Sequence, residues 1–169
     1  MKYAIEFKNE TLRVVDQTLL PRQYKEIEIK TLPRAWDAIK KLKVRGAPLI
    51  GVFAAYSVWV GVRGIKSASV DVFMRKFDEV VAYLKTSRPT AVNLFWALDR
   101  VHRVVHAGQG RTVEQLKKLV LAEAKLIDRE DKELCRLMGE HGVELFKAGD
   151  RVLTHCNTGF LATAGDGTA

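Results

Sequence analysis

The sequence predicts an α/β protein: a small antiparallel β-meander, then a helical bundle, then the first strand of a truncated Rossmann-like domain. Three observations lead to this fold class. Strand-forming residues separated by turn signals fill the first 29 positions. Apolar residues then recur at helical spacing to about residue 146. A short apolar run, 151–156, ends in an Asn-Thr-Gly turn. We therefore divide the chain into a β-meander and helical domain, 1–149, and the start of a Rossmann-like domain, 150–169.

Three strands are predicted at the start of the chain, over residues 3–7, 12–15 and 24–29. The pair Asn9-Glu10 supplies a turn between the first two strands. In the third strand, isoleucines alternate with acidic residues, a pattern typical of a half-buried strand. Pro21 marks the break before it. We expect the three strands to form an antiparallel meander.

Five helices are predicted after the meander. Pro33 suits the start of the first because it has no N–H group to leave unpaired, and we expect that helix to end at Arg45-Gly46. Pro48 opens the second, which runs to about residue 63. The others cover 70–85, then Pro89 to about 106, then a helix to about 146 that Thr112 caps with Gln115 in the capping-box position.

The composition is that of an ordinary globular protein, with 47% hydrophobic and 28% charged residues. The formal net charge is +8. A basic balance raises the prospect of an anionic ligand or of nucleic acid. The basic residues are nevertheless spread out, without a run of five, so we interpret most of them as solvated helix faces and expect no nucleic-acid partner.

The sequence also indicates a cytoplasmic protein without a membrane partner. Its two cysteines favour a reducing compartment. The first residues contain no apolar stretch of the kind found in signal peptides. The longest uncharged segment, Ala47–Val62, is shorter than the roughly 20 residues that span a membrane. We therefore expect that segment to form a fully buried core helix.

Two arginines precede prolines that are predicted to start helices, in Arg45-Gly46-Ala47-Pro48 and in Ser87-Arg88-Pro89-Thr90. A helix N-terminus offers N–H groups and partial positive charge, and an arginine adds a permanently charged fork suited to phosphate. Gly46 would let a ligand approach the backbone. The pattern predicts a phosphorylated ligand between two helix starts. The alternative is that each arginine caps the end of the preceding helix.

Cys156 lies at the end of the predicted final strand, where open α/β sheets bind ligands. It is either a thiol whose ionisation is tuned by the following turn or a small buried hydrophobic residue. His155 points to the opposite face of that strand, so we expect no Cys-His dyad.

His102 and His106 stand four residues apart on one helix, a spacing that suits a metal. Because no third ligand lies nearby in sequence, we expect no metal ion there.

Three blocks of the sequence resemble methylthioribose-1-phosphate isomerases. They are Arg45-Gly46-Ala47-Pro48-Leu49-Ile50-Gly51, then Ser87-Arg88-Pro89-Thr90 through Arg100, and Leu153-Thr154-His155-Cys156-Asn157-Thr158-Gly159. The resemblance covers essentially the whole chain. The wider superfamily also includes ribose-1,5-bisphosphate isomerase and the regulatory subunits of translation initiation factor 2B.

The resemblance implies an aldose–ketose isomerase of methionine salvage and methionine biosynthesis. It would convert 5-methylthioribose 1-phosphate to 5-methylthioribulose 1-phosphate without cofactor or metal. It implies that Arg45, Gly46, Ala47 and Arg88 bind the sugar phosphate and that Cys156 assists hydrogen transfer. A homodimer is expected on the same ground.

Members of that family are roughly twice as long, and their acidic Asp lies in the second half. Neither Asp150 nor Asp166 matches that acid. We therefore expect the chain to need a complementing second half and to be inactive alone. Two alternatives stay open: a non-catalytic module like the translation initiation factor 2B regulatory subunits, and a ribose-1,5-bisphosphate isomerase.

Overall fold

The computed structural model describes residues 2–108 and 110–168. Within them the chain forms three strands, five α-helices and a short 3₁₀ turn. The strands are β1 (Ile5–Lys8), β2 (Thr11–Val15) and β3 (Glu26–Ile29). The helices are α1 (Leu32–Lys40), α2 (Ala47–Val62), α3 (Val70–Lys85), α4 (Val92–His106) and α5 (Val113–Val143). The 3₁₀ turn is Phe160–Ala162. The predicted α/β class, with a small antiparallel sheet and a helical bundle, is confirmed.

The three strands form an antiparallel sheet in the order β1-β2-β3. Lys8 pairs with Thr11, so Asn9 and Glu10 make a two-residue turn, and their φ angles of 48° and 57° are those of a type I′ hairpin. Phe7 stacks on Tyr56 of α2 with ring centroids 4.7 Å apart. One face of the meander therefore lies on α2.

Helix α2 is the centre of the molecule. Residues 49–60 are all buried, and α1, α3, α4 and α5 all pack against this helix. A helix that is apolar on every side is stable only when it is surrounded. Its polar side chains are satisfied internally, since the Ser57 hydroxyl donates to the carbonyl of Phe53 at 2.7 Å. The prediction of a buried core helix is confirmed.

Helix α1 ends earlier than the sequence predicted, at Lys40 instead of Arg45-Gly46. Leu42 adopts a left-handed conformation, with φ of 59°. The N–H of Leu42 donates to Ile39 and that of Val44 donates to Ala38, which closes the helix end. Val44 is fully buried, so its packing holds the chain in this turn although Leu42 is not a glycine.

Helix α4 starts later than predicted, at Val92 instead of Pro89. The N–H of Ala91 donates to the carbonyl of Arg88 at 3.1 Å, so residues 88–91 form a turn with Pro89 at its second position. Proline favours that position because its ring presets φ. Arg88 is therefore separated from the helix start by one turn.

The segment 151–156 forms no strand, although the sequence predicted one. Its side chains are exposed, and Leu153 is 97% exposed. A strand requires a hydrogen-bonded neighbour, and the described residues offer no sheet beside this segment. The predicted domain boundary after residue 149 stays a prediction.

The described helices include no segment that is both long enough and apolar enough to cross a membrane.

The buried hydroxyl of Tyr56 joins α2 to α5. It donates to Oδ2 of Asp128 at 2.8 Å, and the ammonium of Lys132 lies 2.8 Å from Oδ1 of the same carboxylate. Burial, together with the nearby carboxylate, raises the pKa of Tyr56, so the hydroxyl stays a donor. A buried carboxylate that loses such a donor is left with an uncompensated cost of desolvation.

We expect Tyr56→Phe to lower the free energy of unfolding by about 1–3 kcal/mol, because Asp128 then loses its buried donor. Urea unfolding followed by circular dichroism measures the change. Tyr83→Phe is the matched control, since that side chain is 38% exposed. Equal stability of Tyr56→Phe and the unaltered chain would contradict the expected role of the hydroxyl.

Candidate functional site

The first turn of α2 is shaped by Gly46. This residue is the N-cap, with φ of 97° and ψ of 130°, and Pro48 follows within the first turn. No side chain caps this helix start. Backbone N–H groups of a first turn have no partner within their own helix, so they can donate to an anion. Ala47, the first helical residue, is exposed, which leaves this turn open to a ligand.

Gly46 is also the point where α2 meets the closing segment of the chain. A Cβ atom built on Gly46 would lie 2.5 Å from Cα of Ala162. Only glycine fits, both because of this contact and because of its positive φ. The structure therefore brings the Arg45-Gly46-Ala47 block against the segment that follows Cys156, two parts of the chain that are more than 100 residues apart in sequence.

Side chains from two distant elements hold the closing segment in place. The side-chain amide of Gln17 donates to the carbonyl of Leu161 at 2.7 Å. On the other side, the N–H of Ala164 donates to Oδ2 of Asp131 at 2.6 Å. Ala164 is fully buried and belongs to the hydrophobic core. Sequence analysis missed Gln17 and Asp131 because each of them binds a backbone group far along the chain, which leaves no residue pattern.

The Gly-rich run 163–168 is folded on itself. Thr158 accepts a hydrogen bond from the N–H of Thr168 at 2.6 Å, and Gly159 bridges to Gly167. Two of its N–H groups, those of Ala164 and Thr168, already donate to protein oxygens. These two N–H groups are therefore not free to bind a phosphate.

The starts of α2 and α4 lie side by side. A Cβ atom on Gly51 would lie 3.1 Å from the carbonyl oxygen of Asn93, so the first turns of the two helices are in close contact. A groove of about 420 Å³ opens there between α2, α4 and α5. Its lining includes Pro48, Asn93 and Trp96. Its lining contains none of Arg45, Gly46, Ala47, Arg88 and Cys156, so the predicted ligand site between two helix starts stays a prediction.

Arg45 and Arg88 flank these helix starts and are not used by the fold. Arg45 is exposed and Arg88 is half-buried. Neither guanidinium forms a hydrogen bond or an ion pair with any of the described residues, in contrast to Arg100, which binds Glu123 and Glu130. An arginine without a protein partner remains available to bind an anion.

Cys156 is exposed and has a φ of 64°, in the left-handed region. This conformation is uncommon for residues other than glycine and costs about 1–3 kcal/mol. Within the described residues no hydrogen bond or ion pair joins Cys156 to Arg45 or Arg88. His155 is exposed beside it.

The residue after Cys156 carries an unused donor. Nδ2 of Asn157 is buried and has no hydrogen-bond partner within the described residues. Native proteins satisfy most such groups, so an unpaired one indicates a missing partner or ligand. Sequence analysis assigned Asn157 no role beyond its place in the turn.

Asp131 has an altered acidity. Burial raises the pKa of its carboxyl, although the hydrogen bond from Ala164 opposes that rise. Its carboxylate also lines the groove between α2, α4 and α5. Asp131 is therefore a charged group at the junction of the groove and the closing segment.

A second cavity, of about 670 Å³, lies between the end of α5 and the closing segment. Its lining is mainly apolar and includes Met138, Val143 and Phe146 together with Leu153. Neither Arg45, Arg88 nor Cys156 lines it. Thr154, His155 and Thr158, which flank Cys156, do line it. We place the candidate site at the two helix starts because Arg45 and Arg88 precede them in the chain and have no protein partner among the described residues.

The chain belongs to the Initiation factor 2 subunit family, which it matches over residues 43–164. This range contains all three motif blocks and the candidate site.

The chain is similar along its length to isomerases of two differently named kinds. It is 50% identical over 165 residues to a 5-deoxyribose 1-phosphate isomerase of Bacillus thuringiensis serovar kurstaki, covering 98% of this chain and 47% of that protein. It is 43% identical over 166 residues to a methylthioribose-1-phosphate isomerase of Symbiobacterium thermophilum, covering 98% of this chain and 46% of that protein. The chain thus spans about half the length of these relatives.

Two solved structures share the fold. The crystal structure of 5-methylthioribose 1-phosphate isomerase from Pyrococcus horikoshii OT3 superposes with a TM-score of 0.93 at 36% identity, over 99% of this chain and 47% of that one. The structure of translation initiation factor eIF-2B, subunit delta, from A. fulgidus superposes with a TM-score of 0.87 at 39% identity, over 98% and 48%. The same fold therefore occurs in proteins named as an enzyme and as a translation factor.

We expect Gly46→Ala to lower the free energy of unfolding by more than about 1 kcal/mol, because the new Cβ would meet Ala162 at a strained φ. It should also expose the Ala164 amide to hydrogen exchange. Gly64→Ala is the matched control, since nothing lies within 4 Å of a Cβ there. If the two variants were equally stable and their Ala164 amides were equally protected from hydrogen exchange, the close approach of Gly46 to Ala162 would be contradicted.

The raised pKa of Asp131 predicts a pH-dependent contribution to stability. A carboxyl whose pKa is higher in the folded than in the unfolded state stabilises the fold below its unfolded pKa, about 3.9, and loses that contribution as pH rises through the folded pKa. Compared with Asp131→Asn, the unaltered chain should therefore lose stability as the pH rises from about 3.9 through the folded pKa of Asp131. Urea unfolding across this range measures the difference. The prediction would be contradicted if the difference in free energy of unfolding between the two proteins did not change with pH, or if it changed in the opposite direction.

Proposed function

We propose that this chain forms the N-terminal half of a sugar-phosphate isomerase whose substrate is a pentose 1-phosphate. The observation that carries the proposal is the packing of Gly46, at the open start of α2, against Ala162 in the segment that follows Cys156. This packing joins an arginine-flanked helix start to the loop that bears the thiol. The similarity to isomerases over 98% of the chain supports the same reaction class.

Each proposed residue has a role that follows from its chemistry. Arg45 and Arg88 hold the phosphate, since each offers a charged fork without a protein partner. Gly46 and Ala47 add the open backbone of the α2 start. Cys156 assists the transfer of hydrogen between C2 and C1, which converts the aldose to the ketose without a net oxidation.

The substrate imposes one special requirement. Its C1 carries the phosphate, so the ring cannot open freely to an aldehyde. An acid must first protonate the ring oxygen while the ring bond to C1 breaks. A carboxylate outside residues 1–169 supplies that acid in our proposal, and the chain alone is therefore inactive.

The relatives suggest the substrate class more narrowly. Both names, 5-deoxyribose 1-phosphate isomerase and methylthioribose-1-phosphate isomerase, describe acting on a ribose 1-phosphate whose C5 lacks a hydroxyl group. We propose that the isomerase of which this chain forms part acts on such a substrate. Action on 5-methylthioribose 1-phosphate, and with it a place in methionine salvage, is the finer alternative that our sequence analysis favoured, and ribose 1,5-bisphosphate is a further candidate.

The exposed apolar residues support a missing second half. Val143, Leu145, Phe146 and Leu153 are 66%, 80%, 52% and 97% exposed, and all four line the 670 Å³ cavity with apolar neighbours. Clusters of this kind usually mark an interface. We propose that it is covered by a segment corresponding to the half of the relatives that this chain does not span. If a second copy of this chain covered these residues instead, the isolated chain would form a homodimer.

A regulatory module is the second candidate function. The similarity to the eIF-2B delta subunit, with a TM-score of 0.87, favours it. Such a module binds partners without catalysis and has no need for two unpaired arginines and a strained, exposed cysteine.

The test is an isomerase assay on the chain alone and on the chain extended by its downstream coding sequence. Both 5-deoxyribose 1-phosphate and 5-methylthioribose 1-phosphate are offered, with ribose 1,5-bisphosphate as a third substrate. We expect activity in the extended chain only. Activity in neither would favour the regulatory module, and activity of the short chain would place the acid within residues 1–169.

Variants of the active form test the role proposed for each residue. Arg45→Ala and Arg88→Ala should each lower kcat/KM by about 10- to 100-fold, the equivalent of one charged hydrogen-bonded contact. Cys156→Ser should lower kcat by about 100-fold or more. Arg75→Ala is the control, since Arg75 is exposed on α3. If these variants lost no more activity than Arg75→Ala, the proposed roles would be excluded.

A further inference from the structure

Two histidines and one aspartate meet on the outer side of the α3–α4 pair. Oδ1 of Asp78, on α3, lies 3.0 Å from Nε2 of His102 and 2.8 Å from Nε2 of His106. Both histidines belong to α4 and are one turn apart. The sequence-based expectation of no metal rested on the lack of a third ligand nearby in sequence. The fold supplies that ligand from a residue 24 positions upstream of His102.

The cluster is held in place by the fold. The two imidazole rings lie with centroids 4.1 Å apart. Both face the ring of Phe77, at 5.8 Å from His102 and 6.1 Å from His106. Phe77 is fully buried, so it forms a fixed wall behind the histidines. A wall of this kind limits the rotamers available to the ligands and lowers the entropy that binding costs.

We propose that Asp78, His102 and His106 form a binding site for a divalent transition-metal ion, with Zn²⁺ as the reference ion. Each residue offers one ligand atom, and these atoms all lie within 4.8 Å of one another. Two imidazoles and one carboxylate are a donor set that suits zinc and its neighbours in the first transition row.

The geometry needs only a small adjustment. Zinc ligands stand about 2.0–2.1 Å from the metal, so two ligands of a tetrahedral site are about 3.3 Å apart. The donor atoms here are 2.8 and 3.0 Å apart across the carboxylate. Moving them outward by a few tenths of an ångström makes room for the ion.

The exposure of the cluster predicts an open coordination sphere. The side chains of Asp78, His102 and His106 are 45%, 40% and 43% exposed. Three protein ligands leave positions for water, as in open zinc sites. The histidines lie in the last turns of α4, about 15–21 Å along the helix from its start at Val92, by the rise of 1.5 Å per residue. The ion would therefore fasten α3 to α4 and have no contact with the proposed substrate.

The experiment is a calorimetric titration of the untagged chain with ZnCl₂, paired with thermal unfolding. We expect one Zn²⁺ per chain and a rise in Tm on binding. Asp78→Asn and His106→Gln should weaken binding by about 100-fold or more, since loss of outer partners alone costs about 10- to 100-fold. His141→Gln is the matched control, an exposed histidine on α5. Cys156→Ser excludes capture by the exposed thiol.

A second readout does not depend on the variants. In the unaltered chain, Zn²⁺ should shift the imidazole NMR signals of His102 and His106 and leave those of His141 and His155 in place. No binding to the unaltered chain would overturn the proposal. Binding that survives Asp78→Asn and His106→Gln, or that is lost in Cys156→Ser, would overturn it as well, because the ion would then be held elsewhere.

Discussion

The burial of α2 is the constraint on which the rest of the structure depends. A helix without a charged side chain from Pro48 to Val62 is stable only if apolar surface covers it on every side. The meander, α1, α3, α4 and α5 supply that cover, and each is amphipathic because its other face meets water. A polar contact inside this shell, Tyr56 with Asp128, is satisfied by a hydrogen bond, as low-dielectric surroundings require.

The same helix sets the position of the candidate site. Residues 49–60 of α2 are buried, whereas its first turn reaches the surface, and there Gly46 packs against Ala162 of the closing segment. Gln17 and Asp131 then fix that segment from both sides. The packing of Gly46 therefore places the closing segment beside the open start of α2.

The groups that the fold does not use are the ones that suggest function. Most charged side chains near the core are paired, as Arg100 is with Glu123 and Glu130. Arg45, Arg88 and the Nδ2 of Asn157 have no partner within the described residues. The exposed Arg45 is hydrated, whereas a buried donor without a partner, such as Nδ2 of Asn157, costs free energy unless another group or a ligand binds it. The family that the chain belongs to contains proteins named as isomerases and as translation factors, and these groups favour the isomerase.

The sequence alone determined the fold class, the helix α2 and the capping box of Thr112 with Gln115, since periodicity and local hydrogen bonding fix these features within one element. It also indicated Arg45, Gly46, Ala47, Arg88 and Cys156 as candidates. Only the tertiary structure decided that α1 ends at Lys40, that α4 starts after the Arg88 turn and that 151–156 forms no strand. It alone brought Asp131 to Ala164 and Asp78 to the two histidines. Contacts between residues far apart in sequence depend on how helices pack, which leaves no trace in local residue spacing.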